Sequence, residues 1–162
     1  MLRTDRTGEE TSMSEAGYRP PDLGLLGAEH VARYQETGGE VGHDWNGARI
    51  LLLTTTGRRT GRPRTTALIY GRDGDDYLVV ASKGGAPEHP LWYLNLQARP
   101  RASIQVRTAH IPVLARTATE TERSRLWETV TGYWPNYAVY QTRTERIIPV
   151  VVLTPHRGDK GT

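Results

Sequence analysis

The stretch ILLLTTTGRRTGRPRTTALIYGR, residues 50–72, decides the fold. Residues 50–56 form one continuous apolar and β-branched run and residues 64–72 a second, so both read as strands. Between them Gly57, Gly61 and Pro63 interrupt Arg58, Arg59, Arg62 and Arg64, four guanidinium groups within seven positions. The two strands therefore make a hairpin with a tight cationic connection. Arg62 precedes Pro63 and is biased toward extended backbone, which launches the second strand. Such a loop can hold a multiply charged anion.

Downstream, Asp73-Gly74 marks the next turn and residues 77–81 a third strand, completing a meander. Ser82, Lys83, Gly84 and Gly85 then bring a hydroxyl, an ammonium and backbone amides to a sheet end, where they can converge on an acidic ligand. Pro90 opens a short helix with Leu91, Trp92, Leu94 and Leu96, which Arg99-Pro100 breaks. Residues 102–106 and 111–116 read as a hairpin around residues 108–110. Thr119 with Glu122 resembles a capping box opening a helix to Thr131, and residues 147–153 form the last strand.

Upstream, Asp22 is a candidate N-cap for a helix carrying Leu23, Leu26, His30, Val31 and Tyr34, ended by Gly38 and Gly39. Its apolar stripe suits a core, with a membrane surface as the second reading. Residues 1–21 show no apolar period and read as a mobile arm, residues 155–162 as a tail, and residues 22–154 as a single domain. About six mostly antiparallel strands with two or three helices give an α+β fold with a closed or nearly closed barrel.

The chain of 162 residues is long enough for one well-buried core. It has no cysteine, which excludes a disulfide frame, a thiolate metal site and a cysteine nucleophile. No apolar run approaches the ~20 residues of a membrane span. The net charge of +3 is local, short of the broad basic face that nucleic acid demands. Lys83 and Lys160 are the only lysines, so the cations are almost all arginines, whose planar fork suits phosphate and carboxylate. The five histidines are scattered without a ligand motif, so no metal site is expected. No G-x-S-x-G is present, and GRRTGR opens an extended segment rather than a helix, against a nicotinamide-binding domain.

Three charge-assisted hydrogen bonds from the arginine loop would give roughly 5 to 9 kcal/mol gross. Association costs about 4 to 15 kcal/mol, so an apolar contact must help. Trp92 is a candidate surface for an aromatic ring. The plainer alternative makes the arginines a solvated hairpin tip and Trp92 core. A second aromatic patch, GYWPNYAVYQTRTERIIP over residues 132–149, concentrates Tyr133, Trp134, Tyr137 and Tyr140. Tyr137 and Tyr140 share a face on a helical turn. Their neutral phenols suit hydrogen bonding to a carbonyl or nitro oxygen; amphipathic packing with wet tips is the alternative.

In order, LLTTTGRRTGRPR, ASKGGAPEHPLWYLNLQARP and YQTRTERIIPVVVL resemble the blocks of the deazaflavin-dependent nitroreductases and quinone reductases, which use coenzyme F-420. The resemblance covers approximately residues 44–154. It implies a split β-barrel like the flavin-mononucleotide-binding barrels. It also implies a reductase passing a hydride from the reduced deazaflavin to a quinone, nitroaromatic or similar electrophile. By motif, Arg58, Arg59, Thr60 and Arg64 meet the cofactor's anionic tail and phosphate, and Thr65, Thr66, Ala67, Leu68 and Ile69 flank it. Val80, Ala81, Ser82 and Lys83, with Leu91, Trp92, Tyr93, Leu94 and Asn95, complete its pocket.

Ser82 is implied near the ring. Tyr137 and Tyr140 match tyrosines lining the acceptor side, with Tyr133 and Trp134 beside them, and Tyr137, Tyr140 or water would deliver the proton. Trp134 stands where a further tyrosine is expected and Arg143 where some members carry an aromatic, so the acceptor pocket is reshaped. Alternatives are a non-catalytic deazaflavin carrier and a barrel enzyme using FMN or haem. The expected location is the cytoplasm, with peripheral contact at the inner face of the membrane left open by the apolar first helix.

Overall fold

Strands buried on one face alternate apolar and polar residues; strands buried on both do not. The runs of residues 50–53 and 150–153 are continuous because both faces are covered. Leu51, Leu53, Tyr77, Val79, Val151 and Leu153 gather in one core with Ile104 and Val113. Their neighbours Leu78, Val80, Val150 and Val152 pack the opposite way, and Ile50 and Leu52 join Tyr34.

The computed structural model describes residues 27–156. The expected arm over residues 1–21 lies outside the described residues, as do Asp22, Leu23, Leu26 and all but two residues of the expected tail. The order is α1 (Gly27–Thr37), β1 (Asp44–Trp45), β2 (Ala48–Thr56), β3 (Pro63–Asp73), β4 (Asp76–Val80), a single 3-10 turn (Lys83–Gly85), α2 (Leu91–Ala98), β5 (Arg101–Val106), β6 (Ala109–Thr117), α3 (Glu120–Tyr133), α4 (Asn136–Thr142) and β7 (Val150–Pro155). Strands β2, β3, β4, β7, β6 and β5 pair antiparallel in that order, and β5 returns to β2 with Leu53 opposite Ile104, closing a six-stranded barrel. β1 adds a short seventh strand on β2. The first core fills the barrel. α1, α3 and α4 cover its outside, while α2 contributes Trp92, Tyr93 and Leu96 to the first core.

The described residues hold four helices rather than two or three. Pro135 lacks the N–H that would continue α3, and with φ −58° it leads directly into α4. β7 begins at Val150, three residues later than expected, because side chains satisfy the backbone before it. Ile148 N–H donates to Gln141 Oε1 at 2.9 Å, and Arg123 donates to the Ile148 carbonyl at 2.7 Å. At its other end β7 includes Pro155, and His156 N–H donates to the Pro112 carbonyl at 2.9 Å, so pairing runs past Thr154.

The capping box of α3 is formed. Glu122 N–H donates to Thr119 Oγ1 at 3.3 Å and Thr119 N–H to Glu122 Oε1 at 2.9 Å. Arg116 on β6 donates to the same carboxylate, tying the helix to the barrel. The Arg116 hydrogen bond, then that of the Thr119 amide, holds the Glu122 carboxyl down to about 2. A carboxyl depressed on folding stabilises the protein above its unfolded pKa of about 4.3, and that contribution is lost as pH falls toward 2.

Glu122→Gln keeps a capping-box side chain but loses the ion pair. It is expected to destabilise by about 1 kcal/mol or less at pH 7, because Arg116 is half exposed. Urea unfolding at pH 7, 4.5 and 2.5 should show the difference shrinking on the acid side. A difference constant with pH would contradict the assignment.

Candidate functional site

The arginine connection is closed on itself. Gly57 N–H donates to the Arg62 carbonyl and Gly61 N–H to the Gly57 carbonyl, both at 2.8 Å. Gly61 takes φ +74°, and a Cβ on Gly57 would meet Thr60 Oγ1 at 2.7 Å. With the backbone bonded inward, the side chains of Arg58, Arg59, Arg62 and Arg64 face solvent. Among the described residues no carboxylate pairs with them.

Buried Asn95 docks the loop on α2: Arg58 N–H donates to its Oδ1 at 3.1 Å, and its Nδ2 donates to Thr55 Oγ1 at 3.0 Å. The connection becomes one wall of a groove of about 520 Å³, lined by Gly57, Arg58, Arg59, Thr60, Arg64, Thr65, Thr66, Leu91, Trp92 and Asn95.

A second cavity of about 520 Å³ adjoins it, and Thr66 and Trp92 line both. Its floor is β3 at Ala67, Leu68 and Ile69, with Ile50 and Val80. Ser82, Lys83, Gly84, Pro90 and Trp92 close one side, and Trp134, Tyr137 and Tyr140 another. Tyr137 and Tyr140 meet edge to face at 6.2 Å, as their three-residue spacing on α4 requires. Burial, foremost, and then the neighbouring Tyr133 and Tyr140 push the Tyr137 phenol well above its ordinary pKa, so it stays a protonated donor.

Four expected site residues lie away from both cavities. Ala81 is fully buried in the barrel core. Tyr93 points to the far side of α2, where its hydroxyl meets Thr117 Oγ1 at 2.7 Å, and Leu94 is half-buried off both linings. Tyr133 packs on Gly71 of β3, and its buried hydroxyl has no hydrogen-bond partner among the described residues.

A Cβ on Gly71 would sit 2.2 Å from Tyr133 Cε2. Gly71→Ala is therefore expected to cost about 1 to 3 kcal/mol, and much less in a Tyr133→Ala background. Denaturant unfolding of the four proteins of this cycle checks it, and additive costs would contradict the contact.

Other residues reach the aromatic cavity without having been expected there. Trp45 stacks on Trp134 at 5.8 Å and lines the wall, carried there by a hairpin in which Asn46 and Gly47 both have positive φ. That Asn-Gly pair is the sequence signal for the turn. His30 on α1 also lines it. Its Nε2 faces the Gly42 carbonyl at 2.8 Å; a carbonyl only accepts, so Nε2 donates.

A family model described as F420H(2)-dependent quinone reductase matches residues 26–155. An F420H(2)-dependent quinone reductase of Mycobacterium tuberculosis is 50% identical over 129 residues, covering 77% of this chain and 87% of that one. Among solved structures, an F420-H2 dependent reductase shares 41% identity at a TM-score of 0.60, over 64% of this chain and 92% of that one. A chain described as a domain-swapped dimer shares 34% identity at a TM-score of 0.63, over 93% and 98%.

Proposed function

The chain belongs to the F420H(2)-dependent quinone reductase family, and from that premise we propose that the arginine groove and the aromatic cavity are the two halves of one coenzyme site. The protein is an oxidoreductase whose cofactor is reduced coenzyme F-420. The observation that carries the assignment is the shared wall: Thr66 and Trp92 border a groove whose arginines meet no carboxylate among the described residues on one side and an apolar, aromatic-lined cavity on the other. A molecule with an anionic tail and a flat heterocycle needs these two surfaces side by side, so the residues present fit the group. Arg58, Arg59 and Arg64 would hold the tail, and Trp92, Thr66, Ala67 and the backbone at Ser82–Lys83 the ring end.

When bound, the reduced deazaflavin supplies a hydride. The protein's own contribution is position, exclusion of water and hydrogen-bond donors aimed at developing charge. Tyr137, protonated throughout the physiological range, donates a hydrogen bond to an acceptor oxygen as negative charge grows there. Its raised pKa opposes complete transfer, which leaves Tyr140 or water to deliver the proton. Trp134, with Trp45 stacked on it at 5.8 Å, would offer a planar acceptor an aromatic surface.

A quinone is the acceptor class this cavity serves, and nitroaromatics share the planar ring and the polar oxygens it would recognise. Among the described residues no helix is long and apolar enough to cross a membrane. A cytoplasmic protein meeting quinone at the membrane surface fits this arrangement.

The test mixes pure protein with reduced coenzyme and menadione under anaerobic conditions and follows the deazaflavin absorbance. Acceptor-dependent reoxidation is expected. Its absence with several quinones and nitroaromatics would sink the assignment of the acceptor cavity.

A further inference from the structure

Arg146 lies outside both cavity linings, yet its guanidinium is the hub of the turn that forms one side of the aromatic cavity. Nε donates to the Ala86 carbonyl at 2.9 Å, Nη2 to the Ser82 carbonyl at 2.9 Å and Nη1 to the Ala81 carbonyl at 3.2 Å. Nη1 also meets His89 Nδ1 at 3.0 Å, where only the lone pair of a neutral imidazole can accept. One planar cation thus fastens both ends of residues 81–89.

What it fastens is a strained path: Lys83, Gly84 and Gly85 all have positive φ, and Lys83 at +46° is a conformation that L side chains disfavour. The turn is also pressed against α4, since a Cβ on Gly85 would meet the Tyr140 carbonyl at 2.6 Å. Arg143 donates to the Gly84 carbonyl at 3.2 Å from the same side. Ser82, Lys83 and Gly84 line the cavity only while this path is kept.

We propose that Arg146 is a positioning residue for the coenzyme: it sets the backbone of residues 82–84 so that the ring end of the site is formed before the ligand arrives. The proposal rests on the placement of the ring beside Ser82–Lys83 given above. A lysine keeps the charge but cannot reach three carbonyls and an imidazole at once. Arg146→Lys and Arg146→Gln should therefore loosen the turn while the barrel, whose strands do not depend on it, stays folded.

Two readouts test this. In the absence of ligand, hydrogen exchange at the Gly85 and Ala86 amides, which donate to the Ser82 and Lys83 carbonyls, should speed up about tenfold or more while barrel amides keep their protection. In fluorescence titration, the dissociation constant should rise about tenfold for the full coenzyme and equally for its tail-less deazaflavin alcohol, because the damage is at the ring end. Should Arg146→Gln melt below the assay temperature, Arg146→Lys carries both measurements.

Faster exchange with unchanged affinity would make Arg146 purely structural and overturn the proposal, as would wild-type exchange or a loss confined to the tailed ligand. If wild-type protein binds neither form, the two-cavity assignment itself falls, an outcome distinct from variants that bind as wild type does.

Discussion

Arg59→Ala is expected to raise the dissociation constant for the coenzyme about 10- to 100-fold while changing turnover at saturating coenzyme by less than about threefold. Each charge-assisted hydrogen bond to phosphate or carboxylate contributes about 1.5 to 3 kcal/mol, and 1.4 kcal/mol is a factor of ten. Arg59 lines the groove but not the aromatic cavity, so on the proposed reading it would hold the ligand's tail without meeting the reacting atoms. Because the side chain is exposed and the loop's own hydrogen bonds do not use it, the fold should be unaffected. Titration beside steady-state kinetics separates the two effects, and a large loss of turnover with unchanged affinity would move Arg59 from tail binding into the chemistry.

Trp92→Ala should lower stability by about 3 to 5 kcal/mol, the usual range for removing a buried large aromatic, and weaken coenzyme binding at least tenfold. Trp92 is 8% exposed, meets Tyr93 edge to face at 6.2 Å and belongs to the barrel core, while also dividing the groove from the cavity. Trp92 is core and cavity wall at once, so the two alternatives weighed from the sequence are not exclusive. Trp92→Phe keeps an aromatic plane of smaller area and should fall between. Urea unfolding and coenzyme titration on both variants check this; a cost below 1 kcal/mol for the alanine would mean that Trp92 does not pack as described.

Much of the barrel was legible because its signals are local. The β-branched runs flanking the arginine loop, the Asp73-Gly74 turn and the capping box at Thr119 each state their structure within a few residues, and their pairings follow chain order. The closing pair, Leu53 with Ile104, was implicit only in the idea of a barrel.

The site was legible where it follows the hairpin. Arg58, Arg59 and Thr60 on the connection and then Arg64 to Ile69 along β3 line the groove or the cavity floor. It was obscure where a helix face decides. Tyr93 and Tyr133 neighbour cavity residues in sequence but turn to Thr117 and Gly71, because a one-residue step on a helix rotates the side chain by about 100°. Residues whose role depends on distant partners gave no local sign. His30 is fixed by the Gly42 carbonyl, and the groups Arg146 binds lie 57 to 65 residues earlier. In YQTRTER it looks like one more surface charge.

A crystal structure of the protein with coenzyme F-420 bound tests the central claim most directly. It should show the phosphate and glutamyl tail within hydrogen-bond reach of Arg58, Arg59 and Arg64, and the tricyclic ring against Trp92 and the Ser82–Gly84 backbone, facing Tyr137 and Tyr140. Those guanidinium groups splayed into solvent, with the ring elsewhere than beside Trp92, would contradict it.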